Sequence, residues 1–447
     1  MRRIGIWLLW IVVGIVGLTV CLWTVSRLRG PTAEQVEALA LMQQSPLPTE
    51  GNAFPALWLL AYDVPESRLQ AIADADAEFF AATPMYRLED HKVWAKLSTA
   101  HADYADQTPS TDDFERFCKT RQENCLDKVR ADPAAYDALI ERNRALLDRV
   151  AGLSRYSHYR YTATNSTDMM LPPFQLAGYG LTRVAWQFAR GDVDEALAGA
   201  CDGVRTWRRL GAHSDSLLAR MIGIAYASDG YARLLAQMLA ELPASHELPA
   251  SCDSAFSPPA VADLSICEAM KGEFSLADHA VRSQLLGELA RSPWIHRAIG
   301  SLVFDVDQTS AMTAVINARH CSDDTNAQLQ LDQPMATPES SLNLWRLECV
   351  ANFAGCVLTD VARPAYADYQ WRAQDYGARL ELMAALLWLR EHADPDEPLQ
   401  AQLTRRWEAT RRGDRGIRFV EDGSMVELEE FSRRPDREWR LPLLPSR

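Results

Sequence analysis

Lysine is scarce in this chain: only five of its 46 basic residues are lysine, and 60 acidic residues outnumber them all, for a formal net charge of −14. A phosphate backbone needs a concentrated basic surface, so this balance excludes nucleic acid as an expected partner. Short motifs that announce common chemistries are also missing. There is no Walker A loop, no G-x-G-x-x-G, no H-E-x-x-H, no G-x-S-x-G and no C-x-x-C. The nine histidines are scattered, and no two stand three or four residues apart. No cofactor and no metal site is therefore expected. Alternating apolar and polar runs are nearly absent, which argues against a body built of strands.

What is present begins at the amino terminus. The 22-residue run 4–25, from Ile4 through Trp7 and Trp10 to Val25, carries no charge and follows Arg2 and Arg3. A bilayer core is crossed by about 20 apolar residues as a helix, because backbone amides in lipid must bond within their own segment. A cleaved signal peptide has a shorter apolar core and a small-x-small site behind it. Here the run passes into Trp23, Thr24, Val25, Ser26 and Arg27, so a retained anchor is expected. The tetrad Leu18-Thr19-Val20-Cys21 resembles a bacterial lipobox. Val20 is larger than the residue expected there, and apolar residues continue past Cys21, so lipidation is not favoured. Arg2 and Arg3 face Arg27 and Arg29 across the run, which leaves the positive-inside bias slight.

Eight cysteines lie behind the anchor: Cys118, Cys125, Cys201, Cys252, Cys267, Cys321, Cys349 and Cys356. An even count behind an export signal points to disulfides and an oxidising compartment. Six polar residues separate Cys118 from Cys125 and read as a link between helices, so a local bridge is expected there. Cys349 and Cys356 have the same spacing within an apparent helix, where seven residues rise about 10.5 Å. Those two are expected to pair elsewhere, with Cys321, Cys252 and Cys267 as candidates.

The remaining chain reads as an all-α body, helix after helix separated by proline. Periodicity predicts helices over 66–81, 133–153, 173–190, 193–210, 214–242, 274–291, 338–356 and 374–392. Within the fifth, Leu217, Leu218, Met221, Ile222 and Ala225 trace one apolar side. Asp132 before Pro133 is a cap followed by a favourable first-turn proline. The stretch 243–259, with Pro243, Pro249, Pro258 and Pro259, is the expected internal boundary. At the end, 415–419 and 425–428 flank Glu421-Asp422-Gly423 and predict a short β-hairpin packed on helices. The organisation expected is a cytoplasmic 1–3, an anchor 4–25, helical regions 31–242 and 260–410, and a hairpin with tail 411–447.

The segment Trp186-Gln187-Phe188-Ala189-Arg190-Gly191-Asp192, followed by Val193 to Leu197, resembles the turn of a tetratricopeptide-type helical hairpin, over residues 175–209. No second copy follows at a period near 34, and stacked repeats need about three units. An ordinary helical hairpin accounts for the same residues. In layout the whole chain resembles large bacterial envelope proteins with an N-terminal anchor, a helical body and a hairpin end. That resemblance carries no catalytic residues across.

Three polar clusters are candidates for chemistry. The first is Glu268, Lys271, Glu273, Asp278 and His279, in which Glu273 after Gly272 is expected at a helix start, with a general-acid role as the alternative. The second is Asp305 and Asp307, expected as a capped helix start rather than a metal site. Third come Tyr156, His158, Tyr159 and Tyr161 before a polar loop, 162–167, where packing is favoured over sugar or peptide binding. The lone Gly178-Tyr179-Gly180 suits close packing. The functional expectation is a non-catalytic helical scaffold on the bacterial inner membrane, bulk in the periplasm, contacting lipid through the anchor and another envelope protein through its body. The alternative is a peptidoglycan or glycan hydrolase with Glu273 as its acid.

Overall fold

The computed structural model describes residues 2–44, 47–82, 98–120, 124–163, 170–336, 343, 345–362, 366–432 and 438–445. The first part of the expected 338–356 helix, most of the 162–167 loop and residues 121–123 of the Cys118–Cys125 link fall outside them. The body is all-α with a small antiparallel sheet near its end. The chain forms two compact units: the smaller takes 1–45, 270–322 and 336–368, and the larger takes 46–269, 323–335 and 369–447.

In the smaller unit the helix Arg2–Leu28 is where the anchor is expected; Ile6–Leu28 is long and apolar enough to cross a membrane, and of its residues only Ser26, near its end, is buried. A capping box then starts the helix Ala33–Met42: Gln35 N donates to Thr32 Oγ1 and Thr32 N to Gln35 Oε1. Its Ala38 and Met42 pack with Phe274 and Ala314 to form the unit's core. Asp305 caps Val306–Ala318 by accepting from the amides of Asp307 and Gln308.

The chain from 345 to 362 corrects one expectation. Instead of one helix there are two, Leu347–Val350 and Phe353–Ala362, broken at Ala351 and Asn352. The break is made by tertiary bonds. Ala351 N donates to Ser26 Oγ, and the wholly buried Asn352 accepts at Oδ1 from Asp305 N and Thr309 Oγ1. The chain folds back there, so Cys349 and Cys356 lie 5.7 Å apart at Cα and form a disulfide with each other.

The larger unit contains the helical hairpin Gly180–Arg190 and Val193–Ala212. Gly191 closes the first helix at φ +91°, a conformation that glycine adopts without Cβ strain. Ala196, Leu197, Ala200 and Val204 are wholly buried along the second helix. The next expected helix is found as Leu217–Ile224, a π-helical stretch Ala225–Ala232, and Arg233–Glu241. Its packed side is not the Leu217-Leu218-Met221-Ile222-Ala225 stripe: Leu218 is exposed, while Arg220, Gly223, Ile224 and Ala227 are buried. Gly223 decides this, since a Cβ there would sit 2.8 Å from the Cα of Gly211, and only glycine lets the two backbones approach. Gly178 and Gly180 are packing positions of the same kind, against Tyr226 and Tyr231.

The proline-rich stretch 243–259 lies inside the larger unit, pinned at its start and near its middle. The buried Arg390 donates to the carbonyls of Leu242 and Pro243, and Cys252 on the helix Ser251–Ala255 is bridged to Cys201. Near the end, β1 (Ile417–Val420) pairs with β2 (Met425–Leu428). A third strand that the hairpin expectation omitted, β3 (Arg440–Pro442), pairs with β2. Val426, Leu428, Trp439 and Leu441 bury the inner face.

Candidate functional site

Glu273 comes first, expected at a helix start, with a general-acid role as the alternative. Glu273 does not start a helix; it lies inside Cys267–His279, which begins where Ser265 Oγ accepts from Cys267 N. Gly272 costs such a helix about 1 kcal/mol without ending it. Asp278, one turn further on, accepts from Ser310 Oγ and from Arg282, which also reaches Asp307 at 2.9 Å. The carboxylates of the first two candidate clusters thus meet at a shared arginine on the smaller unit.

Carboxylates in the larger unit are deeper and also paired. Arg379 lies between Asp229 at 2.7 Å and Glu430 at 2.6 Å, above the Trp439 ring. Arg415 bridges Asp332 and Asp375 over Phe431, and Asp375 also accepts from Ser432. Arg208 grips Asp263 through two bonds of 2.9 and 2.7 Å, and Arg412 pairs with Glu381. Burial pushes Glu381 and Glu430 up from the usual carboxylate range against the pull of their arginines. Such guanidinium forks hold helices and sheet together, because an unmatched charge at that depth is costly.

Around the third cluster the rings are packed. Tyr159 and Tyr161 are buried, each edge-on to Phe54, and the Tyr161 hydroxyl accepts from Met170 N. His158 is buried with its Nε2 2.7 Å from Pro48 O, and burial holds its pKa below the ordinary value. Beside them is a group that no motif flagged: Asp215. It accepts from Tyr161 N at 2.9 Å, and burial pushes its pKa up to about 7, with Glu268 adding to the rise. No sequence signal marks it, since the backbone bridge between Tyr159 and Ser214 joins segments remote in the chain.

An open hollow of about 340 Å³ is lined by Asp106, Ser110, Asp113, Arg142 and Asn143, among others. Its carboxylates are occupied. Hydrogen bonding from Arg142 holds Asp113 below the usual range, and Asp106 accepts from Thr108 N. Glu273 does not line it. Among the described residues no group of three His, Cys, Asp or Glu is arranged to hold a metal ion.

Cys118 and Cys125 are joined in a disulfide with Cα atoms 5.6 Å apart. On the anchor, Ile4, Trp7, Trp10 and Val25 are all exposed, and Cys21 is a free, exposed thiol. The foot of the anchor is fastened to its own unit: Trp23 Nε1 donates to Leu302 O at 2.8 Å, and Arg27 pairs with Asp305 at 3.1 Å. No family model matches the chain, and neither a curated protein nor a solved structure matches it.

Proposed function

We propose that this chain is a non-catalytic helical scaffold, tethered to the bacterial inner membrane by Arg2–Leu28, with its bulk in the periplasm and a surface for another envelope protein. The observation that carries the reading is the anchor: an exposed apolar helix of spanning length, bonded at its foot to a unit that carries the disulfide Cys349–Cys356. Disulfides persist in oxidising compartments, which favours the periplasmic side. The pairing of carboxylates with arginines further supports a structural role for them. Affinity capture of the full-length protein from crosslinked envelopes tests this, with one stoichiometric envelope partner expected. In the same strain Glu273→Gln is expected to leave the phenotype unchanged. Loss of function at normal protein level and melting temperature would overturn the scaffold and favour the hydrolase.

A further inference from the structure

In the smaller unit one helix has no buried residue and leaves an apolar half outward, and its neighbour is turned inside out. Trp294–Val303 places Trp294, Ile295, Ala298, Ile299, Leu302 and Val303 on one half of its circumference and His296, Arg297, Gly300 and Ser301 on the other. A helix of a water-soluble body turns such an apolar half inward. Here no residue of the helix is buried, and Trp294 is 70% exposed and Ile299 54%. Its one close approach is at Gly300, where a Cβ would press on Leu289 of the adjoining helix Leu286–Arg291. The neighbouring Phe353–Ala362 is inverted outright. It buries Gly355, Cys356, Thr359 and Asp360 while Phe353, Leu358 and Val361 are exposed, Val361 at 73%.

What covers these faces follows from where they are attached. Ile4 to Trp23 on the anchor rises about 30 Å, the thickness of a bilayer's hydrocarbon core. Trp23 therefore falls at the membrane–water boundary, the level at which tryptophan concentrates. Its indole nitrogen donates to Leu302 O, the last turn of Trp294–Val303, and Arg27 reaches Phe304 O at 3.1 Å. The apolar face is thus fastened at the boundary depth. Its ionisable side chains, His296 and Arg297, include no acid, which suits anionic headgroups.

We propose that Trp294–Val303, with Phe353–Ala362 beside it, lies in the membrane–water interface at the foot of the anchor, its Trp294, Ile295, Ile299 and Leu302 side chains in lipid. The inference rests on the anchor spanning the bilayer, and the experiment separates the two. In full-length protein carrying Cys21→Ser, single cysteines at Val12, Ile299, Val361 and Glu408 receive a nitroxide label. Each is reconstituted in phosphatidylethanolamine–phosphatidylglycerol vesicles, with Ala298 as a second position on the same face. Collisions with oxygen and with a water-soluble nickel chelate are then measured. The expected result is high oxygen and severalfold lower nickel access at Val12, Ile299 and Val361 than at Glu408. Free nickel access at Ile299 and Ala298, with Val12 still in lipid, would overturn the interfacial helix and leave the anchor standing. Nickel access at Val12 as well would remove the anchor itself. Exclusion of both reagents at Ile299 would mean that protein, a second copy or another partner, covers the face, and would overturn the lipid assignment.

Discussion

In the larger unit arginine goes inward, and in the smaller unit tryptophan, isoleucine and valine go outward. Arg379 and Arg415 are buried between paired carboxylates, whereas Trp294 and Ile299 are exposed on a helix with no buried residue, and Val361 on one whose Thr359 and Asp360 face inward. The two arrangements obey one rule in different surroundings. Where water is the solvent, a buried charge survives only when it is matched. An apolar helix face stays outward at no cost where the solvent is lipid.

The sharpest test of the inward half is Arg415→Met. It leaves Asp332 and Asp375 facing each other at depth, and breaking a buried pair from one side costs about 3 to 5 kcal/mol. Denaturant unfolding of the full chain in detergent measures it. A loss below about 1 kcal/mol would mean that water reaches those carboxylates, and the contrast between the units would weaken.

Asp215 tests the same burial by pH. Its carboxyl is pushed up to about 7 from an ordinary 3.8, so the folded chain keeps a proton that the unfolded chain releases. The resulting stability is fully present below about pH 4, is lost as pH rises to about 7, and is flat above that. At 1.36 kcal/mol per unit the change is on the order of 4 kcal/mol. Asp215→Asn, which keeps an acceptor for Tyr161 N, should remove this slope from unfolding curves taken between pH 4.5 and 8. An unchanged slope would place the titration elsewhere.

Both units also carry a seven-residue disulfide loop, Cys118–Cys125 in the larger and Cys349–Cys356 in the smaller. Chain entropy alone assigns loops of equal length the same stabilisation, about 2 to 3 kcal/mol each. Paired Cys→Ser variants should therefore lose similar amounts. A much greater loss at Cys349 and Cys356 would show that the bridge also holds the break at Asn352. Peptide mapping without reduction identifies both pairs directly. The smallest effect is expected for Ile299→Ser, within about 0.5 kcal/mol in detergent, since that side chain is more than half exposed in the fold. A larger loss would mean that the face is part of the core.

How much of this was legible in the sequence depended on how local the cause was. The charge-free run, the Asp132 and Asp305 caps, the turn at Gly191 and the β1–β2 turn are set by a few neighbouring residues, and the pattern located them. The six polar residues between Cys118 and Cys125 likewise pointed to a turn that the structure closes with a bridge. Remote causes were not legible. The helix break between Cys349 and Cys356 depends on Ser26, Asp305 and Thr309, far away in the chain. The packed face of Leu217–Ile224 is chosen by Gly211, and helix-breaking chemistry around Glu273 was overruled by the residues before Gly272. Trp294–Val303 was not among the helices the periodicity located, and periodicity in any case gives the existence of an apolar face and not the direction in which it points.

The claim on which the rest depends is that the anchor spans a membrane and delivers the body to an oxidising side. Alkaline phosphatase, active only where its own disulfides form, fused behind Leu444 of the full chain measures this directly. The account predicts active phosphatase that stays with the membrane fraction through a carbonate wash. Inactive phosphatase, with a cytoplasmic reporter active at the same position, would contradict it.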